Sequence, residues 1–248
     1  VKRLFERIRP RSAQKEKYLA DGDEINPERL LAYVVRRKEE PEPKVDFYEK
    51  SLVSRSELAV LVLMDVSGST ANPVGRRRVL EVEKQTVLIF GQGLHALGDT
   101  FAVCGFNGDG REHCDFYIYK DFESPWDRST LGRIRGARAM GATRIGAALR
   151  HAGFRLGNVP ARRKLLILIT DGRPTDNDYS PANRYAQHDV RSACRENRRA
   201  DIHTFCISTG ESSPEDMDVM FPHHRYAILH DIGKLPVILP RLYVKLTI

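Results

Sequence analysis

No run of about 18 or more apolar residues occurs anywhere in this 248-residue chain, so the sequence offers no candidate membrane-spanning helix. The opening residues, VKRLFERIRP, have basic flanks but no apolar stretch, so a signal peptide is not expected there. The chain begins with Val1, and it is expected to be a portion of a longer protein. Cysteine is scarce: only Cys104, Cys114, Cys194 and Cys206, with no C-x-x-C pair, which argues against a zinc site and for reduced thiols in the cytoplasm. Cys104 and Cys206 fall inside strand-like runs, where a free thiol behaves as a small hydrophobe. There is no Walker A sequence, so any ATP hydrolysis would belong to another chain. There is no nucleophile elbow around Ser67 and Ser69. Asp21, Asp23 and Glu24 lack the spacing of a calcium-binding EF-hand loop and read as a solvated acidic turn. The single tryptophan, Trp126, follows Pro125 and is either an exposed recognition anchor or a packed loop aromatic.

What is present is an ordinary apolar fraction of 41% and a net charge of +7. The excess is spread out: residues 1–20 and 58–248 are net positive, residues 21–57 net negative. Arg76-Arg77-Arg78 could touch nucleic acid or an acidic partner, but no aromatic-interleaved basic motif supports RNA binding, and a solvated helix face is the preferred reading.

Residues 1–57 are polar and hold no strong strand pattern. Asn26-Pro27-Glu28 reads as an N-cap, a first-turn proline and an acidic second position, and Leu30, Leu31, Val34 and Val35 then form an apolar stripe at helical spacing. That helix should stop before Pro41 and Pro43, giving a helical and extended segment that is the tail of a larger upstream region. From residue 58 the character changes. Leu58–Met64 is continuously apolar, the signature of a strand covered on both faces. Helices are expected over 79–97, 143–156 and 186–198, and strands over 100–106, 114–119, 165–170, 202–207 and 226–229. A turn is expected at Asn107-Gly108-Asp109-Gly110, and a last helix over 234–246 interrupted near Pro236 and Pro240. Residues 58–248 therefore read as one α/β domain: a doubly wound, mostly parallel, Rossmann-like sheet flanked by helices, with one antiparallel edge strand.

In such sheets ligands bind beyond the carboxyl ends of the strands. Three polar clusters fall there: Asp65-Val66-Ser67-Gly68-Ser69, Gly141-Ala142-Thr143 and Thr170-Asp171-Gly172. Carboxylates and hydroxyls are hard oxygen ligands suited to Mg²⁺, Mn²⁺ or Ca²⁺. Two carboxylates neutralise the cation, while neutral Ser and Thr oxygens leave it electrophilic. The plain alternative is that each of these residues caps a following helix. That holds for any one of them alone; five in order favour a metal. A haloacid-dehalogenase-type hydrolase would need a second Asp two residues after Asp65, where Ser67 stands. His223-His224 and His230-Asp231 lack partners at ligand spacing, and Asp176 and Asp178 read as an ordinary polar loop near the rim.

Asp65-x-Ser67-x-Ser69 with later Thr143 and Asp171 resembles the metal-ion-dependent adhesion site of von Willebrand factor A (VWA) domains, over about residues 58–246. The resemblance implies direct ligation by Ser67, Ser69 and Thr143, and direct or water-mediated ligation by Asp65 and Asp171. Asp21-Gly-Asp-Glu-Ile25, Pro41-Glu-Pro-Lys-Val45, Gly98-Asp-Thr, Gly105-Phe and Leu235-Pro-Val-Ile-Leu-Pro-Arg-Leu-Tyr243 are further similar to a bacterial group of NorD/CbbO type. That group comprises nitric-oxide-reductase activation proteins and Rubisco-activase adaptors that work with a hexameric MoxR-type AAA+ ATPase. The resemblance implies a non-enzymatic adaptor that grips a target's Asp or Glu through its metal. The alternatives are a nucleic-acid-binding VWA module and a structural interaction domain with a vestigial metal site.

Overall fold

The computed structural model describes residues 15–22, 24–40, 42–51, 58–74, 76–172, 174–176, 178–179, 184–209, 212–221 and 225–247. The chain divides into two compact units, one within residues 9–55 and one whose described part runs from residue 58 to 247.

In the first unit β1 (Lys15–Leu19), β2 (Glu24–Ile25) and β3 (Tyr48–Ser51) form an antiparallel sheet in the order β1-β3-β2. These strands correct the expectation of a segment without sheet; they are short and polar, so no period-two apolar signal marks them. Helix α1 (Pro27–Arg36) starts as expected, with the Asn26 side chain accepting from the Glu28 and Arg29 amides. Its apolar stripe is not a core face among the described residues, since Leu31, Val34 and Val35 are exposed. The unit is tied instead by Phe47, packed on Tyr33 and Tyr48, and by Asp46, which pairs with Arg36 at 2.6 Å.

The second unit is built on six strands: β4 (Leu58–Asp65), β7 (Thr100–Gly108), β8 (Cys114–Lys120), β9 (Arg163–Thr170), β10 (Ile202–Ser208) and β11 (Tyr226–Ile228). Their order is β11-β10-β9-β4-β7-β8, all parallel except β8, which runs antiparallel on the edge beside β7. All eight residues of β4 are buried because the sheet is covered on both faces. Leu58, Val60, Val62 and Met64 join a core layer with Phe90 and Leu94 of α2 (Val79–Leu97) and Leu235, Leu239 and Tyr243 of α7 (Leu235–Thr247). Ala59, Leu61 and Leu63 point the other way, into a layer with Leu149 and Ala152 of α4 (Ile145–Gly157) and Val190 and Ala193 of α5 (Tyr185–Arg199). Helix α2 ends where Gly98 adopts the left-handed conformation (φ 77°) that an ordinary side chain resists.

Several local expectations need correction. Arg77–Arg78 is a short strand, β6, paired with β5 (Pro73–Val74) ahead of α2, and not a helix face. Helix α4 begins at Ile145, so Thr143 stays in the preceding loop, where Arg144 has non-helical angles. Strand β7 continues through Gly108, and the turn lies beyond it, with Gly110 at φ 78°. Helix α7 is continuous through both prolines: Pro236 sits in the first turn, where no amide donor is needed, and Leu235, Leu239 and Tyr243 bury one face around Pro240. Two short helices, α3 (Arg128–Arg135) and α6 (Pro214–Met220), were not expected, because neither carries a long apolar stripe. Trp126 is a packed aromatic, its ring tilted against Phe101 at 5.4 Å between centroids and its Nε1 donating to Gln92 at 3.1 Å. Cys104 and Cys206 are buried free thiols. His223 and His224 lie outside the described residues.

Candidate metal centre

Asp65 is the last residue of β4 and is fully buried. Its Oδ1 accepts from the Ser67 amide at 2.9 Å and its Oδ2 from Thr170 Oγ1 at 2.7 Å, so the carboxylate is fixed by the end of the neighbouring strand β9. The chain then turns through a 3-10 segment, Gly68–Ala71, closed by Thr70 Oγ1 donating to the Ser67 carbonyl at 2.7 Å. This turn brings Ser67 and Ser69 to the same side, with their hydroxyls 3.0 Å apart. Ser69 Oγ donates to Asp171 Oδ1 at 2.9 Å, and the Ser67 side chain also hydrogen-bonds Asp65.

Asp65, Ser67, Ser69 and Asp171 are therefore joined in one hydrogen-bonded group. Thr143 is not hydrogen-bonded to them. It is buried, its amide donates to the Thr175 carbonyl at 2.7 Å, and its hydroxyl makes no hydrogen bond among the described residues. Its loop is nevertheless held against the serine loop: the Gly68 amide donates to the Gly141 carbonyl at 2.9 Å and the Met140 amide to the Val66 carbonyl at 2.8 Å. Gly141 has φ 70°, and a Cβ there would lie 2.8 Å from the Gly108 carbonyl, so this approach requires glycine.

A residue that sequence reasoning missed sits under the same group. Glu83 of α2 is wholly buried; Thr209 Oγ1 approaches its Oε1 at 3.4 Å, and its Oε2 has no hydrogen-bond partner among the described residues. Thr209 in turn donates its amide to the Thr170 carbonyl at 2.8 Å, linking Glu83 to the strand end that holds Asp65. Burial, then the charge of Asp171, pushes the Asp65 carboxyl up to about 6. Burial also raises Asp171, against the lowering effect of the Ser69 hydrogen bond. Glu83 is held well above the usual carboxylate range by burial and by the charges of Asp65 and Asp171. None of the three carboxylates forms an ion pair with a described residue.

Mutually repelling carboxylates, neutral hydroxyls and an orphaned acidic oxygen fit a hard divalent cation. Among the described residues no group of three or more His, Cys, Asp or Glu forms a metal cage. Asp65, Asp171, Ser67 and Ser69 supply two carboxylates and two hydroxyls to that fit, with Glu83 outside the hydrogen-bonded group.

A second unforeseen feature braces the rim. Asp176, whose side chain is fully buried, pairs with Arg144 Nη1 at 2.9 Å and accepts from the Gly110 amide at 3.0 Å. Asp178 accepts from the Arg111 amide, and the Arg144 guanidinium lies 4.9 Å from the Tyr179 ring centre. The residues after Asp171, the loop bearing Thr143 and the β7–β8 turn are thus bonded together, where the sequence suggested an ordinary polar loop.

The family profile described as von Willebrand factor type A domain matches residues 59–236. Among curated proteins, the chain is 36% identical over 188 residues to Protein NorD of Brucella suis biovar 1, covering 76% of this chain and 30% of that protein. It is 34% identical over 232 residues to Protein NorD of Stutzerimonas stutzeri, covering 93% and 38%. The chain thus spans about a third of the length of these relatives. Solved structures of similar fold include a von Willebrand factor type A protein from Catenulispora acidiphila (TM-score 0.57, 18% identity, 79% of this chain and 43% of that one). Another is the SpRpn10 VWA domain (TM-score 0.53, 14% identity, 71% and 92%).

Proposed function

Since the chain belongs to the von Willebrand factor type A family, we propose that Asp65, Ser67, Ser69, Thr143 and Asp171 bind a divalent cation, Mg²⁺, Mn²⁺ or Ca²⁺, and through it a carboxylate of another protein. The observation that carries this reading is the hydrogen-bonded group at the strand ends, where two carboxylates, Asp65 buried and Asp171 partly exposed, form no ion pair with a described residue. A bound cation would supply an electrophilic centre there, with a coordination position for an incoming Asp or Glu. The chain's own contribution is positional. Thr170 and the Ser67 amide fix Asp65, Asp171 orients Ser69, and the Gly68–Gly141 contact brings up the Thr143 loop.

On this reading residues 58–248 are a binding module without a reaction of its own, and residues 1–57 are the tail of an upstream region. The similarity to NorD proteins supports an adaptor role alongside a MoxR-type AAA+ ATPase hexamer, with a target such as nitric oxide reductase or Rubisco. No described helix is long and apolar enough to cross a membrane. Four unpaired cysteines suit a reducing compartment, and we place the protein in the cytoplasm.

Calorimetric titration with MgCl₂ and MnCl₂, followed by capture of the ATPase and target by the full protein in Mg²⁺ or in chelator, tests this. Asp65→Ala and the less buried Asp171→Ala are each expected to weaken cation binding at least about tenfold, the scale of losing an ionic hydrogen-bonding partner, and to abolish Mg²⁺-dependent capture. Capture that is equal in Mg²⁺ and chelator, or unchanged in both variants, would sink the proposal.

A further inference from the structure

Beside the amino-terminal half of β10, away from the strand ends that carry Asp65 and Asp171, lies a cavity of about 170 Å³. Four arginines line it: Arg191, Arg195 and Arg198 from α5, and Arg225 from the residue before β11. Buried Thr204 and Phe221 line it as well.

The three helical arginines fall at i, i+4 and i+7, so they share one face of α5 although like charges at that spacing repel. The acid on the same stretch, Glu196, pairs with Arg150 at 2.8 Å instead. Arg191, Arg195 and Arg225 form no ion pair with a described residue. Arg191 Nε is buried and has no hydrogen-bond acceptor among the described residues. Arg225 Nη1 lies 3.3 Å from His203 Nδ1. Burial and the charges of Arg225, Arg163 and Arg198 hold that imidazole below its ordinary pKa, with Asp201 acting in the opposite sense. Thr204 Oγ1 accepts from Asn197 at 3.3 Å, and its own proton has no acceptor among the described residues.

We propose that this cavity is a phosphate-binding site, for a free phosphate or for the phosphate group of a small ester. A buried N–H without an acceptor calls for an anion or a polar ligand. Guanidinium forks match the oxygens of a phosphate two at a time, and the Thr204 hydroxyl adds a neutral donor. A single carboxylate would neutralise one of the three cations Arg191, Arg195 and Arg225; a phosphate carries up to about two negative charges and three strong acceptor oxygens.

The test is calorimetric titration of the chain with inorganic phosphate, pyrophosphate and ADP. It is run in metal-depleted buffer at about 150 mM NaCl, so that anions held at the candidate cation site do not contribute and long-range attraction is screened. Saturable binding of at least one ligand is expected. Tighter binding of ADP identifies an ester as the source, and equal or tighter binding of phosphate or pyrophosphate identifies the free anion. Arg191→Gln combined with Arg225→Gln is expected to weaken it about tenfold or more, as is Arg195→Glu, an exposed position whose change leaves the core untouched. Should the double variant fail to fold, the Arg195→Glu result decides. Absence of saturable heat with all three ligands, or unaltered affinity in the folded variants, overturns the proposal.

Discussion

Freed of divalent cations, the chain is expected to lose stability as the pH is raised from about 4 to above 6, and millimolar Mg²⁺ is expected to restore it. The sign follows from Asp65, whose carboxyl is pushed up to about 6 by burial and by Asp171. Its folded pKa lies above its unfolded value of roughly 4. Between those two values the folded chain holds a proton that the unfolded chain has released, so stability falls with rising pH, and the deficit is complete above about 6. A shift of this size corresponds to about 3 kcal/mol over the whole window, about half of it between pH 5 and 7.5. For a domain of this size that is roughly 6–12 °C in Tm. Glu83, raised in the same direction by the same neighbours, adds to the loss.

A cation binds the ionised carboxylates and competes with their protons. The stabilisation by Mg²⁺ should therefore be large at pH 7.5, about 2.7 kcal/mol when Mg²⁺ is at 100 times its Kd, and small at pH 5. Glu83→Gln removes one of the three repelling acids without touching the five candidate ligands, and should raise the metal-free Tm at pH 7.5 and flatten its pH dependence. Thermal denaturation at the two pH values, with and without Mg²⁺, reads all of this. A metal-free Tm that holds constant or climbs from pH 5 to 7.5, with an equal Mg²⁺ shift at both, would falsify the account of these carboxylates.

Arg144→Ala is expected to cost about 3–5 kcal/mol of stability, the range for removing one partner of a buried ion pair. The Arg144 side chain is 8% exposed, and Asp176 opposite it is fully buried. Without the guanidinium, Asp176 keeps only its backbone donors, including the Gly110 amide. The consequence reaches the metal centre because Thr143, the residue before Arg144, is tied to Thr175, the residue before Asp176. Loosening that rung should weaken Mg²⁺ binding about tenfold, as loss of outer support does at metal sites. The variant in which Asp176 is also replaced, Arg144→Met with Asp176→Leu, should recover much of the stability and little of the Mg²⁺ affinity, because no charge is then left buried alone. Additive destabilisation by the two single changes would show that the pair is not coupled.

The central sheet was legible because its strands are simple. A run such as Leu58–Met64, apolar at every position, has no use on a surface, and Asp65 at its end marks where the apolar run stops. The five candidate ligands were legible for a related reason: hard-oxygen side chains followed buried strands or led into a helix, at the carboxyl ends of the strands where such folds bind ligands. The first three strands were not legible, since polar strands of two to five residues carry no period. Nor were α3 and α6, whose burial is confined to a few side chains.

Tertiary structure alone decided the rest. Glu83 lies inside a segment that the sequence marks only as a helix, and only the packing of α2 against the strand ends buries it beside Asp65 and Asp171. Arg144 and Asp176 lie 32 positions apart, and only the return of β9 beside β4 brings their loops together. The arginines of α5 meet Arg225 only because β11 pairs with β10. Periodicity records which side of its own element a residue faces; burial of a charge depends on which other element arrives there, and that is set by long-range packing.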